Sequence, residues 1–170
     1  RSAQREMQKL AYFDAVTGLP SRDAINRVGD RDLCKLANCG MEAALFFIDI
    51  DKFKEINDTH GHQAGDQVLR YLGARIADIV TLNTGQSPVE PVLSFDGRSR
   101  DVAPGPCLAR IGGDEFALFL PENRGFAQRD AIAEQILQSV TSSIPGIQNN
   151  HSLGCSIGAA IFPEHGLTFP

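Results

Sequence analysis

Two stretches of this sequence carry side chains suited to a metal ion and a phosphate-bearing ligand. In the first, Leu108-Ala109-Arg110-Ile111-Gly112-Gly113-Asp114-Glu115-Phe116-Ala117-Leu118-Phe119-Leu120, apolar runs flank Gly112, Gly113, Asp114 and Glu115. Apolar runs about a glycine-rich tetrad predict a β-hairpin. Glycine supplies positive φ there and lets a ligand approach the backbone closely. Asp and Glu are poor strand formers, whereas adjacent carboxylates at a hairpin tip suit a hard cation, which can in turn hold phosphate. An ordinary solvated turn is spelled the same way, so the reading depends on a partner elsewhere. Phe47-Ile48-Asp49-Ile50-Asp51 supplies one. Asp49 and Asp51 end a buried apolar run, where an unpaired carboxylate is costly, and strand ends leading into loops are places where ligands bind. If the two stretches are neighbours, Asp49 and Asp114 can share a divalent ion such as Mg²⁺. That ion takes a few carboxylate oxygens and completes its shell with phosphates and water. The alternative for Asp49 is a strand-end acid capping the next turn.

Between these stretches, Ile56-Asn57-Asp58-Thr59-His60-Gly61-His62-Gln63-Ala64-Gly65-Asp66 offers a different chemistry. A carboxylate can accept the N1–H and N2–H₂ donors of guanine together, and an amide complements O6 or N3, so Asn57 and Asp66 suit that base. An Asx turn at Asn57 and a first-turn helix acid at Asp66 explain the same residues without a ligand.

The elements that must position these groups follow from periodicity. Ala3, Met7, Leu10 and Ala11 mark the end of an amphipathic helix over residues 1–12. Ser21 is the expected N-cap of a helix to about Ala37, with Ile25, Val28, Leu33 and Leu36 inward and Asn38-Cys39-Gly40 as its stop. Ala43–Ile50 reads as a central strand buried on both faces, and Asp51–Gly65 as a polar loop. A helix over about Ala64–Val80 carries Val68, Leu72, Ile76 and Ile79 on one stripe. Residues 81–106 read as a proline- and glycine-rich surface insertion. A helix containing Ile132, Ile136 and Val140 and a strand over 153–161, with small residues on its second face, complete the chain. Helices crossing between strands imply an α+β fold, a mixed sheet with helices packed on it.

The 170 residues suffice for one domain with a proper core, and 42% hydrophobic with 22% charged content is ordinary for a globular protein. A net charge of −5 argues against a nucleic-acid partner. No apolar run approaches the roughly 20 residues that span a bilayer, so no membrane contact is expected of this segment. Cys34, Cys39, Cys107 and Cys155 lack a CxxC spacing and are expected to be reduced in a cytoplasmic protein. The chain opens on Arg1 rather than Met and is expected to be a piece of something longer.

The run Asp49-Ile50-Asp51-Lys52-Phe53-Lys54-Glu55-Ile56-Asn57-Asp58-Thr59-His60-Gly61-His62-Gln63-Ala64-Gly65-Asp66, followed by Arg110-Ile111-Gly112-Gly113-Asp114-Glu115-Phe116, strongly resembles the GGDEF family of diguanylate cyclases. Asp14-Ala15-Val16-Thr17-Gly18-Leu19-Pro20-Ser21-Arg22 is similar to that family's N-terminal signature, and Ser156-Ile157-Gly158 to its last core strand. The resemblance runs from about Phe13 to Pro163 in the family's order. It implies a GGDEF domain over 13–170 behind a signalling helix, with a palm-like sheet flanked by helices, related to nucleotidyl cyclase catalytic domains. It also implies condensation of two GTP into cyclic di-GMP with release of pyrophosphate. Carried over by position, Asp49, the Ile50 carbonyl and Asp114 would bind Mg²⁺ (with Mn²⁺ an alternative), and Asp114 would accept the proton of the 3′-hydroxyl. Glu115 would be a second acid at the metals. Asn57 and Asp66 would read guanine with His62 supporting them. Backbone N–H groups of Lys52 and Phe53 would face the triphosphate, and Gly112 and Gly113 would leave room for nucleotide. Each domain would hold one GTP, so a homodimer is implied, under an upstream sensory or beside a downstream phosphodiesterase domain. The setting implied is cytoplasmic, or the cytoplasmic part of a membrane-anchored protein.

Three departures from the family's pattern stand out. Ser21 replaces the usual Asn. The product-inhibition RxxD positions are Ala103 and Pro106, with Arg98-Ser99-Arg100-Asp101 displaced inside the insertion. The family's basic C-terminal helix has no counterpart before Pro170: either it lies outside this sequence or it has been lost, and without it weak triphosphate binding is expected. Two further functions fit the same residues: a non-catalytic GTP-binding module controlling a neighbouring phosphodiesterase, and a dimerisation module, which leaves the acids unexplained.

Overall fold

Ser21, extended at φ −83° and ψ 174°, accepts a hydrogen bond from Ala24 N and starts α1, Arg22–Cys39. Gly40 ends the helix in the left-handed region at φ +62°, its N–H returning to Ala37 O while Met41 N returns to Leu36 O. A computed structural model describes residues 11–89, 103–122, 126–141, 153–166 and 168. Of the expected N-terminal helix only Ala11 and Tyr12 fall within the described residues, and both are helical. Half of the expected insertion, residues 90–102 with Arg98 to Asp101 among them, lies outside them.

Four strands follow: β1, Glu42–Asp51; β2, Cys107–Gly112; β3, Glu115–Glu122; and β4, Gly154–Phe162. They form one sheet in the order β2-β3-β1-β4, so β1 is central as its apolar composition requires. Each of the three ladders is antiparallel, which corrects the expectation of mixed strand sense. Among the described residues, parallel pairing is confined to the isolated bridge between Ser21 and Arg110. The α+β palm-like arrangement is as expected.

Helices cover both faces. On one face, α3 (His62–Thr84) and α4 (Phe126–Val140) bury Leu69, Leu72, Ile76, Ile132 and Ile136 against Ile48, Ile50 and Leu118. On the other, α1 buries Ile25, Val28 and Leu36 against Ala109, Ala117 and Phe119. Asp32, fully buried on α1, is held by both ends of the Arg31 guanidinium at 2.7 and 2.8 Å. That cover stops short along β1. Ala43 to Phe46 are buried, whereas Phe47 and Asp49 are exposed, so the strand is not closed on both faces at its C-terminal end.

Two further boundaries differ from expectation. The segment read as a loop contains a helix, α2, Phe53–His60, anchored by buried Phe53 and Ile56 one turn apart. And α3 runs past Val80 to Thr84, with Thr81, Asn83 and Thr84 turning their side chains back onto the carbonyls of Ala77, Ile79 and Val80.

Candidate functional site

The open end of β1 meets the hairpin tip. In the β1–β3 ladder Asp49 stands directly opposite Glu115. Like charges facing each other across a ladder repel, and attraction to a cation placed beside both would offset that repulsion. In the β2–β3 hairpin Gly112 pairs with Glu115, leaving Gly113 and Asp114 as the tip, with Gly113 at φ +50°. Ile50 N donates to Asp114 O at 3.3 Å, so the backbones of Asp49, Ile50, Asp114 and Glu115 come together at one place. Among the described residues no three His, Cys, Asp or Glu side chains converge into a metal cage. Asp49, Asp114 and Glu115 supply carboxylate oxygens, and hard oxygens are the kind of donor that Mg²⁺ would take together with phosphates and water.

Asp51 points elsewhere. Its Oδ1 accepts from Ser156 Oγ at 3.0 Å, and a Cβ on Gly154 would come within 2.9 Å of its Oδ2. The acid ties β1 to β4. Lys52 then adopts φ +62°, turning the chain sharply into α2, whose first N–H groups receive no side-chain cap. An uncapped helix start beside the acids is suited to phosphate oxygens.

Asn57, on α2, packs against Gly65, the residue before Asp66 in the opening turns of α3. Gly65 is buried and has no room for a Cβ, which would collide with Asn57 Oδ1 and lie 3.1 Å from Phe53 Cζ. Asn57 and Asp66 are both half-buried, whereas His62 stands exposed at the head of α3.

Beside the acids lies a hollow of about 320 Å³ bordered by Phe47, Asp49, Ile111, Glu115, Ser156 and Gly158. A second, of about 270 Å³, continues from Phe47 and Ile111 towards Arg22 and Asn26 of α1. The small residues of β4 keep this floor low. Ser156 and Gly158 are the partners of Asp49 and Phe47, as the alternation of the strand predicts.

Residue-type reasoning misses the pairing of Asp14 with Arg110. Arg110 Nη1 lies 3.0 and 3.1 Å from the two carboxylate oxygens of Asp14. Burial raises the Asp14 pKa, but hydrogen bonds from Thr17 and Arg110 outweigh it and hold the carboxyl below its ordinary value. All four cysteines are free; Cys107 and Cys155 are buried, Cys34 and Cys39 exposed.

The family model "Diguanylate cyclase, GGDEF domain" matches residues 11–85 and 99–169. The chain is 32% identical over 167 residues to the cyclic di-GMP phosphodiesterase PdeR of Escherichia coli (strain K12), covering 98% of this chain and 21% of that protein. It is 35% identical over 159 residues to the diguanylate cyclase TpbB of Pseudomonas aeruginosa (strain UCBPP-PA14), covering 93% of this chain and 32% of that protein. The coiled coil and GGDEF domain of DgcB from Caulobacter crescentus, solved in complex with c-di-GMP, matches with a TM-score of 0.73 at 27% identity, covering 98% of this chain and 78% of that one. The chain thus spans about a fifth to a third of the length of these two relatives.

Proposed function

From the premise that this chain belongs to the GGDEF family, we propose that it is a diguanylate cyclase domain joining two GTP into cyclic di-GMP with release of two pyrophosphates. The observation that supports this reading is the register that sets Asp49 opposite Glu115 and bonds Asp114 O to Ile50 N. Asp49, the Ile50 carbonyl and Asp114 would hold Mg²⁺ or Mn²⁺, with Glu115 a second acid beside them. When bound, the metal lowers the pKa of the attacking hydroxyl and neutralises charge on the departing pyrophosphate. The uncapped N–H groups at Lys52 and Phe53 orient the triphosphate. Asn57 and Asp66 select guanine, His62 at the head of α3 supports them, and Gly112 and Gly113 leave space for the nucleotide against the hairpin. Asp114 takes the proton from the 3′-hydroxyl of one GTP as that oxygen attacks the α-phosphorus of the other. A domain of this kind acts in the cytoplasm, as a homodimer, alone or beneath a sensory domain.

The test is incubation of the full-length protein with GTP and Mg²⁺, with cyclic di-GMP and pyrophosphate followed by chromatography. Product is expected, and Asp114→Asn is expected to abolish it while leaving the thermal transition in place. Turnover retained in that variant would remove Asp114 from its assigned role. A second reading draws on PdeR, a relative named as a cyclic di-GMP phosphodiesterase: the domain binds GTP without turning it over and controls a neighbour. Absence of product together with a GTP-dependent change in a neighbouring phosphodiesterase would favour it.

A further inference from the structure

Arg110 lies outside the residues assigned above, yet its side chain is built into the hairpin that carries Asp114. Its Nε and Nη2 donate to Gly113 O at 3.0 and 2.7 Å. That carbonyl belongs to the peptide bond leading into Asp114. The carbonyl on the other side of the residue, Asp114 O, accepts from Ile50 N. Peptide units are planar, so holding both flanking carbonyls fixes the Asp114 backbone and the direction in which its side chain leaves it. The restraint acts where it is needed, since Gly113 at φ +50° is otherwise the most pliant point of the tip.

The other end of the clasp is anchored too. The Asp14 carboxylate that receives Arg110 Nη1 also accepts from Thr17 N and Thr17 Oγ1 at 2.8 and 2.7 Å. Asp14 N donates to Leu19 O and Gly18 N donates to Asp14 O, so the turn is closed upon itself. Arg110 N adds a main-chain bond to Pro20 O at 3.0 Å. The same entry segment is gripped by Arg70, whose Nε donates to Val16 O at 2.8 Å, and by Arg27, whose guanidinium lies 5.1 Å from the Tyr12 ring centroid. Arg70 stands one helical turn beyond Asp66 on α3. Residues 12–16 therefore touch both the hairpin bearing Asp114 and the helix bearing Asp66.

We propose that Arg110 is a positioning residue that fixes the Gly113–Asp114 peptide against the Asp14 turn, so that the Asp114 carboxylate stands where the entry segment places it. Its kinetic consequence rests on the cyclase reading; its structural consequence does not. The task requires arginine. A planar guanidinium reaches Gly113 O with one edge and Asp14 with another, and a lysine ammonium is a single point charge without that fork.

The experiment compares full-length wild type with Arg110→Ala, Arg110→Lys, Asp14→Asn and the Asp14→Asn/Arg110→Ala double variant. In cyclic di-GMP synthesis, Arg110→Ala is expected to lower kcat by about tenfold or more, as small misplacements of reacting groups do, with the GTP KM nearly unchanged. Arg110→Lys is expected to restore only part of it. The double variant is expected to lose no more than Arg110→Ala alone, because the two residues act through one contact. Amide exchange read by mass spectrometry is expected to quicken over residues 111–116 and to stay as in wild type in α1 and α3. Wild-type kcat in Arg110→Ala overturns the proposal, as does a loss of exchange protection spread through the helices, which marks a general folding role. If wild type makes no cyclic di-GMP, the cyclase reading fails by itself and exchange decides alone: a hairpin unchanged in Arg110→Ala overturns the proposal, and a hairpin selectively loosened supports it.

Discussion

Gly65 lacks a side chain at the point where Asn57 needs room, and an added methyl would press on Asn57 Oδ1 and on the ring of Phe53. Neither neighbour is free to yield without leaving its place, since Phe53 is buried and Asn57 is one of the proposed guanine readers. Gly65→Ala is therefore expected to raise the GTP KM by about tenfold, roughly 1.4 kcal/mol of binding, with a smaller effect on kcat. Steady-state kinetics checks it, and an unchanged KM would detach Asn57 from the base. The acids and Asn57 stand out in the sequence as candidates, although residue type alone leaves a strand-end cap, an Asx turn and a ligand site equally spelled. Gly65 does not stand out, since its importance lies in what packs on it. The Asp14–Arg110 pair joins residues 96 apart in the chain, and no local pattern announces such a partnership. The four thiols are unpaired. Burial pushes Cys107 up to about 12 and Cys155, with Asp51 nearby, up to about 11, so both stay protonated at neutral pH and act as apolar filling.

Among the elements, those with a long apolar period are plain from the sequence. The stripe Val68, Leu72, Ile76 and Ile79 specifies α3, Ser21 and Gly40 bracket α1, and the runs about Gly112 and Gly113 make β2 and β3. The short helix α2 is hidden for a physical reason. In its eight residues only Phe53 and Ile56 are buried, too few to show a 3.6-residue period among polar neighbours. The end of α3 is hidden because Thr and Asn are poor helix formers by propensity, yet here their side chains bond within the helix. The faces of β1 are half legible. A continuous apolar run signals burial, but Phe47 belongs to that run and is 42% exposed, because α1 ends its cover before reaching it. An apolar residue left bare at a site looks the same in sequence as one in the core.

Across the described residues, the proposed acid cluster and the proposed guanine readers would make one nucleotide place, whereas the proposed product is made from two nucleotides. Synthesis should therefore follow the population of paired domains, and specific activity is expected to climb with protein concentration before levelling off. A specific activity that stays flat over about a hundredfold dilution, without a stable dimer on a sizing column, would mean that one chain suffices. Among the described residues no helix is long and apolar enough to cross a membrane. The exposed Phe47 has one more consequence. It floors the hollow beside Asp49 and Glu115, and the chain contains no tryptophan. Phe47→Trp would install a lone indole within this segment at the edge of the acids, and its emission is expected to shift on addition of GTP with Mg²⁺ and to stay put with ATP. A spectrum indifferent to saturating GTP would locate the nucleotide elsewhere. The bare aromatic ring thus offers an optical gauge of occupancy that needs neither turnover nor a second copy of the chain.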